Sequence, residues 1–183
     1  MNSLAINMIS QHATIEIQKL WDNYLANNKR VANTKGSYFD NINQKRLEAI
    51  AQLRKGLNSF LIGNSTLREF RTFIDGFNKR HNYWGFTAIK GQMFFNLLVR
   101  DADNGQNIDK VTTILRTTLT EPSDLDDALH KIESLEKYLS VIFNKAPDKR
   151  KVANPSSVGY FLSYFWQIQN HEKWPIMYTS RIK

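Results

Sequence analysis

Hydrophobic positions along this chain recur mostly at the three- and four-residue spacing that places them on one side of an α-helix. Ile17, Leu20, Trp21, Tyr24 and Leu25 define a first predicted helix, from about Thr14 to Asn27, closed by the Asn27-Asn28-Lys29-Arg30 stretch and Gly36. A second, near 39–62, puts Ile42, Ile50, Leu53, Leu57, Phe60 and Leu61 on one side and Lys45, Arg46, Arg54 and Lys55 towards the other, with Gly63-Asn64 as the stop. The third opens on Thr66-Leu67-Arg68-Glu69, a capping box in which the Thr hydroxyl and the Glu carboxylate each satisfy an orphan backbone donor. Its apolar stripe is Leu67, Phe70, Phe73, Ile74 and Phe77.

Beyond this point the pattern changes. Asn78 to Asn82 is polar and basic, and Gly85 between Trp84 and Phe86 predicts a tight turn that projects rings in different directions. Residues 84–90 admit an extended conformation. After Gly91, a short helix is expected over Gln92–Val99, with Met93, Phe94, Leu97 and Leu98 at helical spacing. Residues 101–107 (DADNGQN) read as a surface loop, without the spaced oxygen ligands and closing glutamate of an EF-hand. Ile108, Val111, Ile114, Leu115 and Leu119 fit a further helix, although the β-branched Val111–Ile114 run also suits a strand.

Pro122-Ser123 opens a long acidic helix whose expected core stripe is Leu125, Leu129, Ile132, Leu135, Leu139, Ile142 and Phe143. Its early carboxylates favour the helix N-terminus, and acid pairs three or four apart on a helix read as structural. A basic connector, 146–151, leads to Asn154-Pro155, which introduces a last helix with Val158, Phe161, Leu162, Phe165 and Trp166; Pro175 disfavours helix at Trp174. The fold class is therefore mainly α: one multi-helix globular module over 1–183, with short strands admitted around 84–90 and 108–119 and any subdivision near 101–107 or 145–155. The abrupt end after Tyr178 suggests the N-terminal part of a longer protein.

Composition narrows the function classes. At 183 residues and 42% hydrophobic, the chain can bury a core without staples. It has no cysteine, which excludes disulfides and thiolate metal sites, and its four histidines are too scattered for a zinc motif. No apolar run approaches the roughly 20 residues that span a bilayer, and no signal-peptide pattern opens the chain. A cytoplasmic protein without membrane partners is expected. The phosphate loop of nucleotide hydrolases, the G-x-S-x-G elbow and the H-E-x-x-H metal helix are all missing, so no catalytic residue, metal or cofactor is assigned.

Charge supplies the positive indication. The chain carries a formal +8, with the basic excess in residues 1–100 and 148–183 and an acidic stretch, 101–147, between them. If the two basic ends meet in the fold they form one positive face, which attracts polyanions. Aromatic residues and glycines concentrate in Tyr83-Trp84-Gly85-Phe86, Gly91 to Asn96, and Trp174 to Tyr178. Beside cations, such rings supply either a base-stacking surface or a core. The expected nucleic-acid contacts are Lys79, Arg80, Lys90, Lys149, Arg150 and Lys151 on phosphates, and Tyr83, Trp84 or Trp174 stacking on an unpaired or flipped base. Asn82, Gln92 and Asn96 are available to read a base edge.

The segments Phe70 to Arg80, Trp84-Gly85-Phe86, Gly91 to Asn96 and Trp174 to Tyr178 resemble the N-terminal regions of McrB-like AAA+ proteins of bacterial restriction and defence systems. The windows that hold these segments, Phe70 to Asn96 and Tyr160 to Tyr178, cover roughly a quarter of the chain. It implies a non-enzymatic module that recognises DNA, often modified DNA, ahead of a GTP-hydrolysing motor that works with a separate nuclease subunit. Two other classes stay open: a protein-interaction or assembly domain anchored by the aromatic windows, and a small metal-dependent nuclease, for which Asp75, Lys79, His81 and Asp101 are the residues at hand.

Overall fold

The computed structural model describes residues 11–27, 31–32, 38–39, 42–80, 86 and 88–176. It is mainly α-helical, and the chain forms two compact units, Met1–Leu47 and Glu48–Lys183. Residues 101–107 and 145–155 both lie inside the second. The first unit holds helix α1 (Gln11–Ala26) and a two-residue antiparallel pair, β1 (Val31–Ala32) with β2 (Tyr38–Phe39), in the register Val31 opposite Phe39. Helix α1 forms where its periodicity placed it, but Ile17, Leu20 and Trp21 of its apolar stripe are exposed.

Helix α2 (Ile42–Leu61) delivers Ala49, Leu53, Leu57 and Phe60 to the core of the second unit. It stops at Gly63, whose φ of +88° suits glycine, while Asn64 N–H donates to Ser59 O at 2.9 Å in the closing turn. Helix α3 (Leu67–Arg80) carries the predicted capping box: Thr66 N–H donates to Glu69 Oε2 at 2.8 Å and Glu69 N–H to Thr66 Oγ1 at 3.2 Å. The donated Thr66 N–H and the Thr66 hydroxyl hold the Glu69 carboxyl below the usual range.

Neither stretch that admitted a strand is extended where described. Residues Ala88–Met93 make a π-helical turn running into α4 (Phe94–Asn104), and α5 occupies Ile108–Leu119. In α5 Thr112, Thr113, Thr117 and Thr118 direct their hydroxyls to the carbonyl four residues back, which satisfies them within a helix. The expected loop at 101–107 is shorter than predicted: Asp101–Asn104 form the last turn of α4, and only Gly105–Asn107 turn the chain.

Helix α6 (Leu125–Lys145) begins with Asp124 as its cap, accepting from Asp127 N–H at 2.9 Å. Its inward face is rotated from the predicted stripe. Ala128, Lys131, Leu135 and Leu139 are buried, whereas Leu125 and Leu129 are 68% and 50% exposed. Lys131, only 8% exposed, faces inward because it has acceptors there: Nζ donates to Thr120 O, Glu121 O and Asp127 Oδ2 at 3.2, 3.3 and 2.8 Å. It thereby satisfies carbonyls just beyond α5, as cations do at helix C-termini.

Two short 3₁₀ turns, Lys149–Lys151 and Pro155–Ser157, lead into α7 (Val158–Gln169). This helix is the centre of the second unit, with every residue from Val158 to Trp166 buried, and Ile168 as well. A helix enclosed all round must satisfy its polar groups locally or across packing contacts. Trp166 Nε1 donates to Thr118 O at 2.9 Å, and Gln169 Nε2 to Leu119 O at 2.7 Å. The α5 C-terminus is thus held by α7 on one side and by Lys131 on the other.

The aromatic residues of the 86–95 window are core. Phe70 stacks on Phe60, with ring centroids 4.6 Å apart and planes within 5°. From there contacts run through Phe95 and Phe161 to Phe94, while Phe86 sits edge-on to Tyr164 at 5.1 Å. Gly91 makes room for this cluster: a Cβ there would lie 2.7 Å from the Phe86 ring.

Candidate nucleic-acid interface

Helix α4 turns Phe94, Phe95, Leu98, Val99 and Ala102 into the core. The opposite face carries Met93, 48% exposed, with Asn96, Leu97 and Arg100 at helical spacing. Of the residues at helical spacing here, Phe94 and Leu98 are buried and Leu97 packs partly against the core, while Met93 and Leu97 together form a ridge that lines two clefts.

The first cleft, about 600 Å³, lies among the π-helical turn, α4, the end of α6 and the segment before α7. Lys90, Lys149 and Arg150 line it, together with Asn154, Ser156, Ser157 and the apolar Phe94 and Phe143. Among the described residues its lining contains no carboxylate. Each cation has a local tether. Lys90 Nζ lies 5.7 Å from the centre of the Tyr160 ring. Lys149 Nζ donates to Phe143 O at the end of α6 and sits over that residue's ring, 4.8 Å from its centre. Arg150 pairs with Asp148 at 3.2 Å, and its guanidinium holds the Asp148 carboxyl below the usual range. Asn154 accepts from Ser156 N–H at 3.0 Å, ordering the turn that forms the wall. Lys151 is exposed, and its carbonyl accepts from Arg100 Nη2.

The second cleft, about 470 Å³, lies on the α3 side and is lined by Arg71, Asn96, Val99, Arg100 and Asp103 besides the ridge. A chain of amides leads to Asn96 in its wall. Asn78 Nδ2 donates to Gln92 Oε1 at 2.7 Å, Gln92 Nε2 to Asn96 Oδ1 at 3.1 Å, and Arg71 Nε to the same Asn96 oxygen at 2.8 Å. Asp103 takes both Nε and Nη2 of Arg68 on its Oδ1, at 2.9 and 2.6 Å.

Of the residues selected from sequence, the structure therefore brings Lys90, Lys149 and Arg150 into one cleft, with Lys151 beside it. Lys79 and Arg80 lie elsewhere, exposed in the last turn of α3, where Lys79 pairs with Asp75 at 2.7 Å and both favour the helix C-terminus. Trp174 is half-buried against Trp166, ring centres 5.7 Å apart, with its Nε1 buried, so its ring packs on the core and lines neither cleft. Tyr83, Trp84, Asn82 and His81 lie outside the described residues. Gln92 and Asn96 are engaged in the amide chain. Arg71 and Arg100 were not selected, yet the exposed spacing of residues 93, 96, 97 and 100 was a signal for that face. Among the described residues no group of three or more His, Asp or Glu is arranged to hold a metal ion, and no helix is long and apolar enough to cross a membrane.

No family model, curated protein or solved structure matches this chain.

Proposed function

We propose that this chain is a non-enzymatic nucleic-acid-binding module whose phosphate contacts centre on the Lys90–Lys149–Arg150 cleft. One observation carries this reading: cations some 60 residues apart in sequence line one concave surface with no acid among its described lining residues, Asp148 meeting Arg150 from outside that lining. The apolar Met93, Leu97 and Phe143 among them suit the sugar and base faces of a strand better than they suit a free inorganic ion. The McrB-like resemblance adds a DNA target, modified or carrying a flipped base, a defence role in the cytoplasm, and a motor and nuclease acting through a longer parent protein.

The test is a titration of fluorescent double- and single-stranded DNA, plain and with methylated cytosine or adenine, at two salt concentrations without added metal. Binding that weakens with salt and falls when Lys149, Arg150 and Lys151 are changed to Gln supports the reading. Absence of binding at low salt, or binding indifferent to the triple variant, overturns it.

A second reading, a partner-protein domain, is favoured by the exposed leucines Leu125 and Leu129, one turn apart on α6, and by the exposed stripe of α1. It predicts a mass that rises with concentration and falls back in a Leu125→Ser, Leu129→Ser variant. For the nuclease reading, no group of three or more His, Asp or Glu among the described residues is placed to hold a metal ion.

A further inference from the structure

The second cleft holds two guanidinium groups in an unusual condition. Arg71 is anchored through Nε to an amide oxygen, and Arg100 through Nη2 to a backbone carbonyl; neither makes an ion pair. Both line the same cavity of about 470 Å³. A guanidinium commonly finds a carboxylate when one is near, and one is near: Asp103 lines the cleft, but both contacts on its Oδ1 come from Arg68. Two positive charges are thus fixed by neutral acceptors, while the adjacent acid is occupied by a third arginine.

The anchoring also orients Arg71. Asn96 Oδ1 receives two donors, from Arg71 and Gln92, so its amide is held with oxygen towards Arg71 and its own NH₂ directed elsewhere. With Nε committed, Arg71 keeps its two Nη groups for a ligand, the fork that matches paired oxygens of a phosphate or carboxylate.

We infer that the Arg71–Arg100 cleft binds a phosphate monoester, supplied by the phosphorylated end of a nucleic-acid strand lying in the neighbouring Lys90–Lys149–Arg150 cleft; this rests on the function proposed above. A monoester carries close to two negative charges and three strong acceptor oxygens, and so balances two unpaired guanidiniums better than an internal diester does. The clefts share Met93 and Leu97, so a strand can pass over that ridge from one to the other.

The experiment measures anisotropy of labelled oligonucleotides of one sequence ending in 5′-phosphate, 3′-phosphate or hydroxyl, with the intact chain and with Arg71→Lys and Arg71→Gln. In parallel, the arginine Nε–Hε NMR resonances are followed during addition of inorganic phosphate and of a nucleoside monophosphate. The expected result is at least about tenfold tighter binding of one phosphorylated end. Both variants lose that increment, keep their melting temperature and keep their affinity for the hydroxyl-ended strand. Oligonucleotides that bind alike whatever their ends, with Arg71 shifting on addition of a monophosphate, retain the phosphate site and assign it to a free phosphomonoester instead of a strand end. If no oligonucleotide binds but Arg71 still responds to monophosphate, the nucleic-acid function fails and the phosphate site stands. Equal binding of all ends with an unresponsive Arg71 overturns the inference, while the function is judged separately by the Lys149, Arg150 and Lys151 variant.

Discussion

The centre of the second unit and the outer face of α4 use the same short stretch of chain in opposite ways. Around α7, rings from five segments pack edge-on and face-on, and every residue from Val158 to Trp166 is enclosed. On α4, one helix radius away from Phe94 and Phe95, the surface is an apolar ridge between two cation-lined clefts. In sequence the two look alike, because aromatic and basic residues alternate through 70–100. The difference teaches that the buried aromatic residues around α7 supply stability, and that the cations at the clefts are arginine and lysine side chains on the surface beside them.

That division makes sharply different expectations for substitutions on its two sides. The largest effect is expected from Trp166→Ala, which removes a buried indole and leaves the Thr118 carbonyl without its donor; the cost is about 3–5 kcal/mol, read as a lower urea midpoint. Lys131→Met keeps the volume but strips three acceptors of their donor, and is expected to cost about 1–3 kcal/mol by the same measurement. If Lys131→Met instead stabilises the protein, the lysine is not a structural cap.

Thr66→Ala should cost about 1 kcal/mol through loss of the α3 cap. It should also flatten the acid limb of the stability curve. Glu69, Asp124 and Asp127 are all held below the usual carboxylate range: Glu69 by the Thr66 N–H, Asp124 chiefly by the Asp127 N–H, and Asp127 chiefly by the Lys131 ammonium. A carboxyl lowered in the folded state binds fewer protons there than in the unfolded chain, so its contribution is fully present above its unfolded pKa. It is lost as pH falls through the folded value. The melting temperature should therefore drop below about pH 4, and slightly less steeply in Thr66→Ala, which keeps the N–H at 66 but loses the hydroxyl that also donates to Glu69.

At the small end, Lys149→Gln with Arg150→Gln should change stability by less than about 0.5 kcal/mol. Yet the slope of log affinity for duplex DNA against log salt should fall by about 2. A large loss of stability here would mean that these cations belong to the structural side of the comparison.

Most of the fold was legible because helices announce themselves locally. The Thr66–Glu69 box, the Gly63-Asn64 stop and the stripe Leu67, Phe70, Ile74, Phe77 need only neighbours within a turn. Where the reading shifted, the deciding partner was distant. The inward face of α6 turned on Lys131 finding carbonyls at the end of α5, which periodicity cannot register. The C-terminus of the helical β-branched 108–119 run is capped from α7, by Trp166 Nε1 and Gln169 Nε2. For the site, sequence could nominate cations but not choose among them. Lys90, Lys149 and Arg150 meet, whereas Lys79 is occupied by Asp75. Arg71 and Arg100 escaped notice because their significance lies in which acceptors they lack.

The π-helical turn at Ala88–Met93 also sets an angular phase. Such a turn accommodates one residue more than the α-helical turn it replaces. Deleting Gly91 would let the turn close as α-helix, leaving Phe94 to Asn104 where they pack and swinging Lys90 by about 100° around the axis. Lys90 would then leave the cleft it lines, although no charge had been removed from that part of the chain. The position of this cation is thus encoded by the length of the segment as much as by the residue itself.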